Sequence, residues 1–112
     1  MIYSSKIMLE MMDGNISEVK EIAKMLLELG PEMINDISSA IDNNEWKKAA
    51  DTAHKLKTSL KMWGMQEVVN SALFIENNAQ KEDEQQEVIK QFEILKLGFD
   101  AALNAMQQDL NL

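Results

Sequence analysis

The sequence predicts an all-α fold, an antiparallel up-down four-helix bundle with an additional short N-terminal helix. Three observations carry this. Four glycines and one proline in 112 residues are too few for a chain built of many turns. Strong helix formers (Leu, Met, Ala, Glu, Lys and Gln) dominate the composition. Apolar residues return at three- and four-residue steps, and no segment alternates with the period of two that a strand needs. The length suits one domain over residues 1–112 with a single core.

Five or six helical segments follow in order. A short one over about Ser4 to Met12 places Ile7, Met8 and Met11 on one face and stops at Asp13-Gly14. Asn15 is spaced as an N-cap, with Glu18 three residues on completing a capping-box pattern. The helix it opens carries Ile16, Val19, Ile22, Ala23 and Leu26 as its buried stripe and is expected to end at Gly30. Pro31 is then read as the first residue of a new helix, where a missing N–H is harmless. That helix uses Met33, Ile34, Ile37 and Ile41 and fades at Asp42-Asn43-Asn44.

The next helix runs from about Glu45 to Trp63, with Trp46, Ala49, Ala50, Ala53, Leu56, Leu60 and Trp63 in step, and Gly64 ends it. Another covers about Gln66 to Ala79 on Val68, Val69, Ala72, Leu73 and Ile75. The last begins in Glu82-Asp83-Glu84, acids suited to the positive end of a helix dipole. Its seam is Val88, Phe92, Leu95, Phe99, Ala102, Met106 and Leu110. Short connections between such helices favour antiparallel neighbours.

Charge and composition exclude several classes of function. A net charge of −8 argues against nucleic acid as a partner, because phosphate backbones demand clustered cations. All eleven cationic side chains are lysines, which removes any arginine fork or finger. The absence of cysteine removes disulfides, thiolate chemistry and cysteine-containing zinc sites. No apolar run approaches the roughly 18 residues of a membrane span. The first residues are too broken by charge for a secretory signal, so the expected address is the cytoplasm.

His54 is the single histidine. At about 100° per residue it lies beside the buried stripe of its helix, next to Ala53 and Ala50, and not within it. Five of the eleven lysines (Lys47, Lys48, Lys55, Lys57 and Lys61) share this helix with two acids, Glu45 and Asp51. A neutral imidazole offers a nucleophilic nitrogen near pH 7, and lysines can offset the charge of an arriving phosphoryl group. The same pattern also describes a structural histidine at the border of a core, with a solvated lysine face. Wheel geometry alone leaves both readings standing.

The stretch from Thr52 to Gly64 resembles the signature of histidine phosphotransfer (HPt) domains. Ala53, His54, Leu56, Lys57, Ser59 and Gly64 stand where that family has a small residue, the histidine, and Leu, Lys, Ser or Ala, and Gly two, three, five and ten positions on. Phe74-Ile75-Glu76 resembles the family's apolar-plus-Glu/Gln position on the following helix. The likeness covers about residues 5 to 108. It implies that His54 accepts a phosphoryl group through Nε2, that Lys57 steadies the phosphoryl oxygens, and that Glu76 either orients the ring through Nδ1 or is merely an exposed helix residue. Thr58 departs from the glycine usual four positions after the histidine and narrows the entrance to the site, although its hydroxyl could donate to a phosphoryl oxygen.

The resemblance further implies a phosphorelay intermediate that takes the group from a receiver-domain aspartate and passes it to another receiver. Its partners would be response-regulator receivers and a hybrid histidine kinase. It would bind no cofactor of its own, with Mg2+ supplied by the receiver, and would act as a monomer. No Gly-rich phosphate loop occurs, so ATP-dependent kinase activity is not expected. A docking patch is expected from Ile7, Met8, Met11 and Met12, since exposed methionines suit adaptable interfaces. Two rivals stand beside this reading. One is a degenerate HPt module that binds receivers without exchanging phosphate. The other is a ferritin-like metal protein, which would need paired Glu-x-x-His motifs and finds only one histidine.

Overall fold

The computed structural model describes residues 2–112. Among them are five helices and no strand: α1 (Lys6–Met11), α2 (Ile16–Asp42), α3 (Trp46–Met62), α4 (Gln66–Asn78) and α5 (Gln85–Asp109), with a single 3-10 turn at Glu82–Glu84 before the last. α3 packs against α2 and α4, α4 against α5, and α5 closes back on α2. α1 lies on α2. The four long helices therefore form the bundle, and α1 is the additional short helix. At about 1.5 Å per residue the 27 residues of α2 span roughly 40 Å, nearly the whole 45 Å length of the molecule.

The expected break at Gly30-Pro31 does not occur; one helix runs from Ile16 to Asp42 with Pro31 inside it. The reason lies on α5. Gly30 is buried, and a Cβ placed on it would stand 2.5 Å from Phe99 Cζ. The glycine is a notch that lets α5 approach α2, not a helix stop. Pro31 sits on the exposed side, where solvent can serve the Leu27 carbonyl that loses its helical partner. Burial then continues on the same face through Ile34, Ile37 and Ala40, and this packing outweighs the local preference to break.

The caps follow the sequence with two differences. The Asn15 side chain accepts the Glu18 N–H at 3.1 Å, but the Asn15 N–H donates to the Met12 carbonyl, so the box is formed on one side only. The acids Glu82, Asp83 and Glu84 occupy the 3-10 turn ahead of α5 and not its first α-helical turn.

Three residues assigned to the core or to the surface are placed otherwise. Ile16 and Leu73 are exposed, because the stripe on α2 begins in earnest at Val19 and that on α4 is carried by Val68, Val69, Ala72 and Ile75. Met8 is wholly buried, so it packs α1 onto the bundle and contributes nothing to a docking patch. Ile7 and Met11 remain exposed and Met12 is half-buried.

The N-terminal segment fastens one end of the bundle. The Ser4 N–H donates to the Trp63 carbonyl at 2.8 Å, and Gly64, with φ +62°, leaves room for the close approach of Ser4. The Tyr3 hydroxyl donates to Asp109 Oδ2 at 2.8 Å. Burial first, then the hydrogen bond to Asp109 and its charge, push the phenol up to about 12 from 10.0. The native chain thus holds this proton more tightly than the unfolded one. Its contribution to stability is complete below pH 10.0 and is lost as pH rises through about 12. Tyr3 is the only tyrosine, so an ultraviolet titration reads it alone. Asp109→Asn is expected to move the midpoint part of the way back, since burial remains.

Candidate functional site

His54 sits on the exposed side of α3, with Ala50 and Ala53 buried beneath it and Leu56 filling the core one step further on. Its side chain is 62% exposed. Nδ1 lies 2.6 Å from Glu76 Oε2, across the groove to α4. A carboxylate can only accept, so Nδ1 carries a proton, and in the neutral ring the lone pair is then on Nε2. Nε2 makes no hydrogen bond with the described residues.

Lys57 also turns toward α4. Its Nζ donates to Glu76 Oε1 at 2.5 Å, and the side chain is only 13% exposed. Glu76, 22% exposed, therefore bridges two residues of α3 with its two oxygens. Three of the four site residues read from the sequence are brought together in this way. Thr58 is exposed, one helical turn beyond His54, and takes no part in the network.

The lysine-rich face is less positive than a count of lysines implies. Lys47 Nζ contacts Asp51 Oδ2 at 2.8 Å and Lys57 is tied to Glu76. Lys48, Lys55 and Lys61 make no ion pair among the described residues. The Lys47 hydrogen bond holds the Asp51 carboxyl below its usual range, with Lys55 and His54 adding smaller effects of their charge.

The hydrogen bond from Lys57 holds the Glu76 carboxyl below its ordinary value of 4.5; partial burial opposes this, and His54 reinforces it. A depressed carboxyl stabilises the fold above the unfolded value, and that stability is lost as pH falls through the folded value. Acid titration of the melting temperature, from about pH 6 to about pH 3, is expected to show a decline that Glu76→Gln makes shallower.

The profile of the Hpt domain family matches residues 21–109. The chain belongs to the Hpt family. Membership implies histidine phosphotransfer in phosphorelays, and Hpt domains work with receiver domains of two-component systems. No curated protein and no solved structure matches the chain. No helix of this Hpt domain is long and apolar enough to cross a membrane among the described residues. Nor do those residues contain a group of three or more His, Cys, Asp or Glu side chains able to hold a metal ion.

Sequence reasoning reached each residue of the network but not the bond between Lys57 and Glu76. Lys57 is three residues after His54, and a helical wheel shows it only as a neighbour of the ring. Which way it turns is decided by a carboxylate 19 positions away on another helix.

Proposed function

We propose that this Hpt domain is a phosphorelay intermediate that accepts a phosphoryl group on His54 Nε2 from a receiver aspartate and passes it to another receiver. The observation that carries the reading is the Nδ1–Glu76 hydrogen bond on an exposed ring. It leaves Nε2 as the nucleophilic nitrogen on a side chain that another protein can reach.

In the transfer, the Nε2 lone pair attacks the phosphorus of the receiver's acyl phosphate. The N–P bond forms, the P–O bond breaks, and its electron pair returns to the aspartate carboxylate. Nδ1 keeps its proton, so the ring becomes cationic, and the Glu76 carboxylate lies beside it to stabilise that charge. The reverse path delivers the group to the next receiver. Mg2+ belongs to the receiver in this reading, and no ATP-binding element is required of the Hpt domain. The partners are receivers and a hybrid histidine kinase, the working form is a monomer, and the compartment is the cytoplasm.

Thr58 stands exposed one turn from the ring and favours one alternative, a module that binds receivers without exchanging phosphate. Incubation with phosphorylated receivers separates the two. The relay reading expects acid-labile label on the unaltered chain and none on His54→Gln. Label that persists in His54→Gln removes the proposed site. Receiver binding without label in either chain establishes the alternative.

A further inference from the structure

We propose that the Thr58 hydroxyl donates a hydrogen bond to the phosphoryl group as it moves onto His54 Nε2. The inference rests on the acceptor role of His54 and adds a contact to it. Its basis is the place of Thr58 beside the open nitrogen, with a hydroxyl that has no partner among the described residues.

The ring has an occupied side and an open side. Nδ1 meets Glu76 Oε2 at 2.6 Å across the groove to α4, and Lys57 meets the other oxygen of that carboxylate at 2.5 Å. The two nitrogens of an imidazole diverge, so Nε2 points away from α4. On a helix at about 100° per residue, Lys57 lies about 60° from His54 toward α4, and Thr58 about 40° from it the other way. Residues four apart have Cβ atoms about 5–6 Å apart, and helical side chains lean toward the N-terminus. Thr58 therefore leans back over the turn that carries His54.

The neighbours of the ring leave few donors for an arriving anion. One turn before it stands Asp51, a carboxyl that the Lys47 hydrogen bond holds below its usual range. Its negative charge repels a phosphoryl group from that end. One turn after it stands Thr58, exposed and uncharged. Lys61 is seven residues on, a rise of about 10 Å along the helix. Lys55, next in sequence, lies about 100° round the helix from the ring. Thr58 is the nearest uncommitted donor on the open side.

A hydroxyl suits this position. It donates one hydrogen bond, and a helical threonine can place it in either of two rotamers. In the free chain solvent serves it. In the complex it turns to a phosphoryl oxygen while the P–O bond to the receiver aspartate breaks and the N–P bond to Nε2 forms. Thr58 keeps its proton, and no bond to it is made or broken. The same contact serves the return step, because both directions share one transition state. A glycine here would leave more room but supply no donor; threonine narrows the approach and compensates with its hydroxyl.

Three variants separate the hydroxyl from the bulk. Thr58→Val keeps the shape and removes the donor, Thr58→Ser keeps the donor and removes the methyl, and Thr58→Gly removes both. A melting curve first confirms that each folds. Single-turnover acceptance from one phosphorylated receiver then gives the maximal rate and the half-saturating receiver concentration. Thr58→Val and Thr58→Gly are expected to lose about tenfold in maximal rate, with half-saturation within about twofold, and Thr58→Ser to stay within about threefold. A Thr58→Val chain as fast as the unaltered one overturns the proposal. So does a faster Thr58→Gly chain, since the side chain would then act by bulk alone.

A second readout needs no receiver. Phosphoramidate, a small phosphoryl donor, loads imidazole nitrogens directly, and phosphorus-31 spectra report the surroundings of the phosphohistidine. The resonance is expected to move in Thr58→Val and to move far less in Thr58→Ser. An unmoved resonance in Thr58→Val overturns the proposal. If no receiver labels His54 and the resonance still responds to Thr58, the relay reading fails and the contact stands.

Discussion

Glu76→Ala is expected to slow phosphoryl acceptance by about 100-fold while leaving the bundle folded. Removal of a carboxylate that fixes the tautomer and orientation of a working histidine has consequences of about this size in other sites. Three things are lost together here. Nδ1 loses its acceptor, so the two neutral tautomers become comparable and part of the population presents N–H where the phosphorus must arrive. The ring, 62% exposed, loses the one side chain that holds it, and rotates into solvent. Lys57, 13% exposed, is left without its counter-charge beside the ring. The last effect also lowers stability, by roughly 1 kcal/mol after allowance for the solvent that still reaches both groups. Transfer kinetics and chemical denaturation measure the two separately. A Glu76→Ala chain that transfers at the normal rate would mean that the ring needs no orienting partner.

Phe99→Ala is expected to destabilise the fold by about 3–5 kcal/mol. Phe99 is 2% exposed and fills the notch at Gly30 where α5 crosses α2. Deleting its ring leaves a cavity between two helices that α2 cannot close by moving inward without disturbing Leu26 and Ile34 on the same buried face. Domains of this size are stable by about 5–15 kcal/mol in total, so the loss is a large share. Urea denaturation, read by circular dichroism, should show the midpoint falling with little change of slope. A loss below about 1 kcal/mol would mean that the α2–α5 contact is slack.

That contact also marks where the sequence is hard to read. Gly30-Pro31 is a strong local signal for a helix end, although Leu26, Ile34 and Ile37 keep one helical period across it. The fact that overrides it is Phe99, 69 positions further on, which requires a residue without a side chain at position 30. Met8 is similar: four apolar residues in a six-residue helix do not say which of them faces the bundle, and only Met8 does so fully. By contrast α3 is legible throughout, because its buried face is set by a regular run of alanines and leucines within one helix. His54 is legible for the same reason, since the residues that mark it are its neighbours in sequence. Glu76 could be named as a candidate, but its bridging of His54 and Lys57 depends on how α3 and α4 sit against each other.

In the relay reading the phosphoryl group resides on Nε2 of His54 while Nδ1 remains bonded to Glu76. Phosphorus–proton and nitrogen-15 spectra of the chain after labelling by a phosphorylated receiver test it most directly. The expected result is a single N–P linkage at His54 Nε2, with the Nδ1–H resonance retained and lost on Glu76→Ala. Phosphorus on Nδ1, or on any other residue, would contradict it.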